Sequence, residues 1–248
     1  MLTTMQDLRA PTHRFYLVMA CAFVAVAVAG FTPSYWSKVA AGTFQGAPIF
    51  HVHGSLLFGW TCLYLAQTAL VASGRALKHR AWGMAGIAWF SVMVCSTIAL
   101  IIRSMRIGES RGMGEASLPI SIASFITLAL MCGLFAAAIA NVQRPETHKR
   151  LMVLVMVVVL QAAVARLVVL PLFPPGPPSL AATIMTAIVT DTFVVAAILH
   201  DWRTLGRPHN VYIWGGLLLL TVQLVITPLF ARSAAALAFA RSMRGLMG

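Results

Sequence analysis

The chain has 248 residues, of which 60% are hydrophobic and only 10% are charged, with a mean hydropathy of +0.87 and a formal net charge of +12. A soluble domain carries roughly 25% charged residues, so this composition excludes an ordinary soluble protein and indicates a lipid bilayer as the solvent. The basic residues lie between the apolar stretches and form no basic soluble domain, which excludes a nucleic-acid-binding protein.

Long apolar stretches predict seven transmembrane helices, because a spanning helix needs about 20 mostly apolar residues. In chain order they cover residues 15–31, 49–73, 81–102, 118–140, 150–170, 180–199 and 211–230. The proline-rich segment 171–178 cannot be helical and is expected outside the hydrocarbon. The sequence therefore predicts an all-α integral membrane bundle that forms a single domain over residues 1–248.

The distribution of Lys and Arg predicts the orientation of this bundle. With the N-terminus inside, the inner segments hold ten of the eighteen basic residues and the outer segments seven, with Arg166 inside a helix. Because cytoplasmic segments carry the excess of positive charge, we predict a cytoplasmic N-terminus.

Six of the seven histidines lie at the edges of the predicted helices. Neutral imidazole is the commonest protein metal ligand, and two imidazoles from different helices can hold a haem iron. The candidate ligands for a transition metal or haem b are His51 and His53 on one side of the membrane, and His79, His148, His200 and His209 on the other. The alternative is that each is an interfacial histidine beside Lys and Arg.

The start of the second helix places polar and aromatic residues on one helical face. His53, Trp60, Tyr64 and Gln67 recur at helical spacing, and polar groups avoid lipid, so this face is expected to point into the bundle. Trp60 and Tyr64 are therefore candidate cofactor-binding residues beside His53. A packed polar stripe without a ligand is the alternative interpretation.

Two charged residues fall inside predicted helices, where charges are rare and are usually partnered or functional. Arg166 follows His148 by 18 residues, which is about five helical turns, and can hold an anionic group such as a haem propionate, a carboxylate or a lipid phosphate. Asp191 is a candidate proton or cation relay. The alternatives are a snorkelling arginine and an interhelical hydrogen bond.

Three stretches carry a resemblance to a known group: FHVHGSLLFGW (50–60), RPETHKRLM (144–152) and HDWRTLGRPH (200–209). Together they resemble uncharacterised bacterial polytopic membrane proteins with an H-x-H helix start and a P-E-x-H-K-R-L-M motif, a group that supplies no activity to carry over. The LKHR-x-x-G pattern at 77–83 is loosely similar to membrane b-type haem proteins of the cytochrome b561 and ferric-reductase kind. The resemblance implies a multi-pass protein of the bacterial inner (cytoplasmic) membrane.

These observations lead to one functional hypothesis and two alternatives. The leading hypothesis is a membrane protein that holds a metal or haem through histidines, for redox chemistry or cofactor handling. The alternatives are a transporter of protons or a small solute, and an accessory subunit whose partners, besides the lipid bilayer, are other membrane subunits. The last predicted helix contains no lysine, which excludes a retinal Schiff base, and no Walker A or H-E-x-x-H motif occurs.

Overall fold

The computed structural model describes residues 9–110, 112–172 and 180–245, without the side chains of residues 9–13, 169, 170 and 180. Over these residues the chain is all-α, with seven helices that are long and apolar enough to cross a membrane. The predicted fold class is therefore confirmed, and the chain is a multi-pass membrane protein.

Eight helices follow one another along the described residues. They are α1 (Arg9–Phe31, continued by Thr32–Trp36 and Ser37–Ala40), α2 (Pro48–Ala72), α3 (Ala76–Ser110), α4 (Leu118–Ala140, after a 3₁₀ turn at Gly114–Ser117), α5 (Pro145–Val164, continued by Ala165–Val169 and Leu170–Leu172), α6 (Leu180–Leu205), α7 (Asn210–Thr221, continued by Val222–Ile226 and Thr227–Phe230) and α8 (Ala234–Gly245). Helices α1 to α7 are the spanning helices. We call the end of the bundle at which α1 begins end A, and the other end B.

Helix α5 lies at the centre of the bundle and packs against α1, α4, α6 and α7. Its residues 153–158 are buried on every side, with exposures of 0–3%. A helix that is apolar all round has no face suited to water, and here the neighbouring helices cover it. The two ends of α5 are consequently the places where its polar side chains meet other helices.

Three spanning helices contain a π-helical turn: Thr32–Trp36 in α1, Ala165–Val169 in α5 and Val222–Ile226 in α7. The first corrects the predicted end of α1 at residue 31, because Pro33 lies inside the wider turn and the helix continues to Ala40. Pro171 and Leu172 likewise continue α5, contrary to the predicted break, while residues 173–179 lie outside the described residues. Such π turns are frequent at functional sites.

Helix α3 is 35 residues long and extends well past the predicted 81–102. At 1.5 Å per residue it measures about 52 Å, against about 30 Å for the hydrocarbon core. Its polar end at end B is supported by the amphipathic helix α8. The guanidinium of Arg244 on α8 lies 3.6 Å from the carboxylate of Glu109, and Arg106 donates to the backbone oxygen of Arg244 at 3.5 Å. Hydropathy does not detect this extension because it contains the charged residues Arg103, Arg106 and Glu109.

Helices α1 and α5 approach each other closely at Gly30 and Ala163. A Cβ atom added to Gly30 would overlap the backbone oxygen of Ala163 and lie 2.8 Å from its Cα. Only glycine permits this approach, which brings the Phe31 ring of α1 over the Arg166 side chain of α5 at 4.4 Å.

Candidate functional site

End A holds four of the six candidate histidines, because short connections bring four helix ends together there. His79 lies at the start of α3, His148 at the start of α5, His200 near the end of α6 and His209 directly before α7. The other two, His51 and His53, lie at end B at the start of α2. Within each group, helix rotation decides which side chains meet.

His79 and His148 form the one ring contact between two histidines in the described part of the chain. Their ring centroids are 6.4 Å apart, with an angle of 73° between the ring planes. The Nδ1 of His148 donates to the carbonyl oxygen of Ala138 at 2.8 Å, since a carbonyl can only accept, and in the neutral ring this places the lone pair on Nε2. Two histidines from different helices therefore lie side by side, one of them in a ligand-competent tautomer.

One atom of this histidine pair and one atom of the neighbouring Gln67 are buried without a hydrogen-bond partner among the residues described. The Nδ1 of His79 is buried and has no hydrogen-bond partner among the residues described. Gln67 donates from Nε2 to the backbone oxygen of His79 at 3.2 Å, while its Oε1 is buried without a donor in the same part of the structure. Buried polar atoms are normally satisfied, so two unpaired polar atoms at one place are unusual.

His200 and His209 have other neighbours. The ring of His200 stacks on Phe15 of α1, with centroids 3.8 Å apart. The Nδ1 of His209 accepts a hydrogen bond from the backbone nitrogen of Val211 at 3.2 Å, so this histidine caps the first turn of α7. Neither ring contacts His79 or His148 in the part of the chain that is described.

The cap on α7 gives a prediction for His209. His209→Ala should lower the free energy of unfolding by about 1 kcal/mol, and His209→Asn should retain most of the stabilisation because asparagine also caps helices.

Burial, followed by the positive charge of Arg150, lowers the pKa of His209. A depressed folded pKa means that the stabilisation is present above the unfolded value of about 6.5 and is lost as pH falls through the folded pKa. Thermal unfolding of the wild type and both variants in detergent, at about pH 8 and about pH 5, measures the loss of the cap and its pH dependence. Equal stability of His209→Ala and His209→Asn at the higher pH would contradict the capping role.

End A also contains a buried ion pair between α5 and α6. Arg150 donates two parallel hydrogen bonds to Asp201, from Nε at 2.8 Å and from Nη2 at 2.6 Å, and both side chains are 1% exposed. The Nη1 of Arg150 also donates to the side chain of Glu146 at 2.6 Å. Sequence reasoning counted Arg150 only as a topology charge and missed this pair. The sequence did contain one indication of the pair. Asp201 is one of only six acidic residues in the chain, and it lies where an apolar helix ends.

Aromatic residues extend this ion pair to α1 and α7. The hydroxyl of Tyr16 on α1 lies 3.3 Å from that of Tyr212 on α7, which is fully buried. The guanidinium carbon of Arg150 is 5.8 Å from the Tyr212 ring, and Lys149 Nζ lies 5.0 Å from the Tyr16 ring. Four helices are thus joined at end A by a network in which the buried charges are paired.

At end B the two histidines of the H-x-H motif do not share a site. The Nδ1 of His51 lies 2.7 Å from the hydroxyl of Tyr35, whereas the Nδ1 of His53 lies 3.3 Å from the hydroxyl of Ser96 on α3. The separation follows from helical geometry, because α2 begins at Pro48 and residues two apart diverge by about 200°.

Arg166 lies on the π turn of α5 at end B. It donates to the backbone oxygen of Ala162 at 2.8 Å and lies over the Phe31 ring. No carboxylate of the described residues is within ion-pair distance of its guanidinium, Asp191 included. Its predicted role as an anion anchor remains a prediction.

Trp60 and Tyr64 are buried, with exposures of 4% and 8%, so their face of α2 points into the bundle as expected. The Trp60 ring packs against Phe90 and Phe135, with centroids 5.4 and 5.6 Å away. The centroid of Tyr64 lies 5.8 Å from that of Phe23. Both rings are therefore part of an aromatic core, and cofactor contact by them remains a prediction.

Within residues 9–110, 112–172 and 180–245, no group of three or more His, Cys, Asp or Glu side chains is arranged to hold a metal ion. A metal bound here by histidines must therefore have other ligands as well. No protein-family model, curated protein or solved structure matches the chain. Function is accordingly inferred from the geometry of its own side chains.

Proposed function

We propose that this membrane protein binds a transition-metal centre, as a free ion or as haem iron, through His79 and His148 at end A. The observation that carries the proposal is the 6.4 Å contact between their rings, combined with the Nδ1 hydrogen bond that leaves Nε2 of His148 free. A hydrogen bond from the second ring nitrogen to a carbonyl is the usual support of a histidine metal ligand.

The spacing of the two rings is close to that of a ligand pair. Metal–nitrogen bonds of about 2.0–2.1 Å place the centroids of two imidazoles on one metal about 4.5 Å apart when the angle at the metal is about 90°, and about 6.4 Å apart when it is about 180°. The observed 6.4 Å lies at the upper end of this range. The free Oε1 of Gln67 is an additional oxygen beside the pair.

The sequence motif supports the same location. The P-E-T-H-K-R-L-M stretch contains His148, the proposed ligand, and Arg150, which forms the buried ion pair with Asp201. We propose on this basis that the bacterial membrane proteins with this motif use it for one purpose: to fix the start of α5 so that its histidine faces a partner histidine.

Metal analysis of the detergent-purified chain tests the proposal. We expect bound metal in the wild type, with a fall of about tenfold or more in metal affinity in His79→Ala and in His148→Ala, since each removes one of the two histidine ligands. A Soret band that disappears in the same variants would identify the metal as haem iron, whereas metal without that band would identify a free ion.

His51→Ala is the matched control, because His51 is a helix-start histidine at the opposite end of the bundle. It should bind metal as the wild type does. Unchanged metal content in the His79→Ala/His148→Ala double variant, or no metal in the wild type after incubation with Zn²⁺, Cu²⁺ and haem, would overturn the proposal.

A further inference from the structure

A polar pair lies between α6 and α7, far from the histidines of end A. Asp191 is 11 residues from the start of α6, about 16 Å along the helix, and so lies at the level of the hydrocarbon. Gln223 lies on α7 inside the π turn Val222–Ile226 and is 8% exposed. Its Nε2 donates to Oδ1 of Asp191 at 3.5 Å.

Each of these two side chains has one more buried oxygen without a partner. Both Oδ2 of Asp191 and Oε1 of Gln223 lack a hydrogen-bond partner among the described residues. No Lys, Arg or His nitrogen of that same set lies within ion-pair distance of the carboxyl group. If Asp191 is ionised, the two side chains share one long hydrogen bond, and each has one oxygen in the apolar bundle that accepts no hydrogen bond.

The charged and titratable groups of the packed helices lie towards the helix ends rather than beside Asp191. Among the described side chains of α1, α5, α6 and α7 they are Arg14, Tyr16, Tyr35, Lys38, Glu146, His148, Lys149, Arg150, Arg166, His200, Asp201, Arg203 and Tyr212. The other titratable group is the thiol of Cys21 in the middle of α1, which is exposed on the outside of the bundle. An ionised carboxylate at this depth would thus have no counter-charge within ion-pair distance among the described residues, which is a costly arrangement.

The addition of one proton gives both unpaired oxygens a hydrogen-bond partner. A protonated carboxyl has one O–H donor, and a carboxamide oxygen is an acceptor. With the proton on Oδ2, Asp191 donates to Oε1 of Gln223 while Oδ1 accepts from Nε2, so the acid and the amide exchange two hydrogen bonds. We infer that Asp191 and Gln223 form a proton-binding site that joins α6 to α7, with Asp191 holding the proton.

The site couples proton occupancy to helix packing. Loss of the proton converts a donor into an acceptor, so that Oδ2 and Oε1 repel each other and α6 and α7 lose one hydrogen bond. Gln223 lies in a π turn, where local rearrangement of the helix is least restricted by regular hydrogen bonding. Release of the proton is therefore expected to loosen this helix pair.

Infrared difference spectroscopy of the full chain in detergent, in H₂O and D₂O at about pH 7, tests the inference, because an ordinary aspartate with a pKa of about 3.9 is ionised there. We expect the carbonyl band of a protonated carboxylic acid in the wild type. The band should be absent in Asp191→Asn and shifted to higher frequency in Gln223→Leu, which removes both hydrogen bonds. Glu115→Gln, which changes an exposed carboxylate at end B, is the control and should leave the band unchanged.

Thermal unfolding gives a second readout that does not depend on the band. In Asp191→Asn the new amide can donate an N–H where the protonated acid donates its O–H, so this variant should keep the wild-type melting temperature. Asp191→Leu has no donor and should lower it. The inference would be overturned if no carbonyl band depended on Asp191, or if the two substitutions destabilised the protein equally. It would also be overturned if the band disappeared when Na⁺ or K⁺ is added, because that result would identify a cation site.

Discussion

Arg150→Met is expected to lower the free energy of unfolding by about 3–5 kcal/mol, because it leaves the carboxylate of Asp201 buried without its counter-charge. The two side chains are each 1% exposed and share two parallel hydrogen bonds, so water cannot replace the lost donors. The reciprocal change, Asp201→Leu, should have a similar effect by stranding the guanidinium. Chemical or thermal unfolding in detergent, followed by the loss of helical circular dichroism, measures both.

The double variant Arg150→Met/Asp201→Leu separates the ion pair from simple packing. Replacement of both charged partners by apolar side chains removes the stranded charge, so the double variant should be more stable than either single one. Lys149→Met is the matched control on the neighbouring residue, which is partly exposed and pairs with Glu146 at 2.7 Å. It should change stability by about 0–1 kcal/mol. Additive losses in the double variant would contradict a coupled ion pair.

Gly30→Ala is expected to lower the free energy of unfolding by about 1–3 kcal/mol, with a larger loss for Gly30→Leu. The added Cβ would overlap the backbone oxygen of Ala163, and backbone atoms of a central helix cannot rotate aside as a side chain can. Relief of the overlap must therefore move α1 away from α5. The melting temperature of purified protein in detergent gives the measurement.

Gly133→Ala is the control for Gly30, since a Cβ at this position of α4 meets nothing within 4 Å. Alanine is favoured over glycine in a helix by about 1 kcal/mol, so this variant should be as stable as the wild type or slightly more stable. The same response at both glycines would show that α1 and α5 are not in close contact.

Hydropathy was sufficient to predict the fold, because each spanning segment must bury about 20 apolar residues in lipid whatever its neighbours are. The ends of the helices were harder to predict. Pro33 reads as a stop signal, yet α1 accommodates it in a π turn. Helix α3 extends through Arg106 and Glu109 because α8, from the far end of the chain, contacts that segment.

The sequence also predicted one property of the candidate site, namely the end of the bundle at which each histidine lies. Alternation of the helices places His79 and His148 at one end of the bundle, but their contact depends on how α3 and α5 rotate about their axes. The same rotation turns His200 towards Phe15. Arg150 and Asp201 are separated by 51 positions, and nothing in the local sequence of either residue identifies its partner.

The described part of the chain has an odd number of spanning helices, which places the proposed metal site and the C-terminal helix α8 on opposite sides of the membrane. Helix α1 begins at end A and α8 lies at end B, so the His79–His148 pair and α8 face opposite compartments whichever way the protein inserts. The excess of basic residues on the side of the N-terminus predicts that the pair draws its metal from the cytoplasmic pool. One reporter fused after α8 would then establish the topology, and with it the compartment that the His79–His148 pair faces.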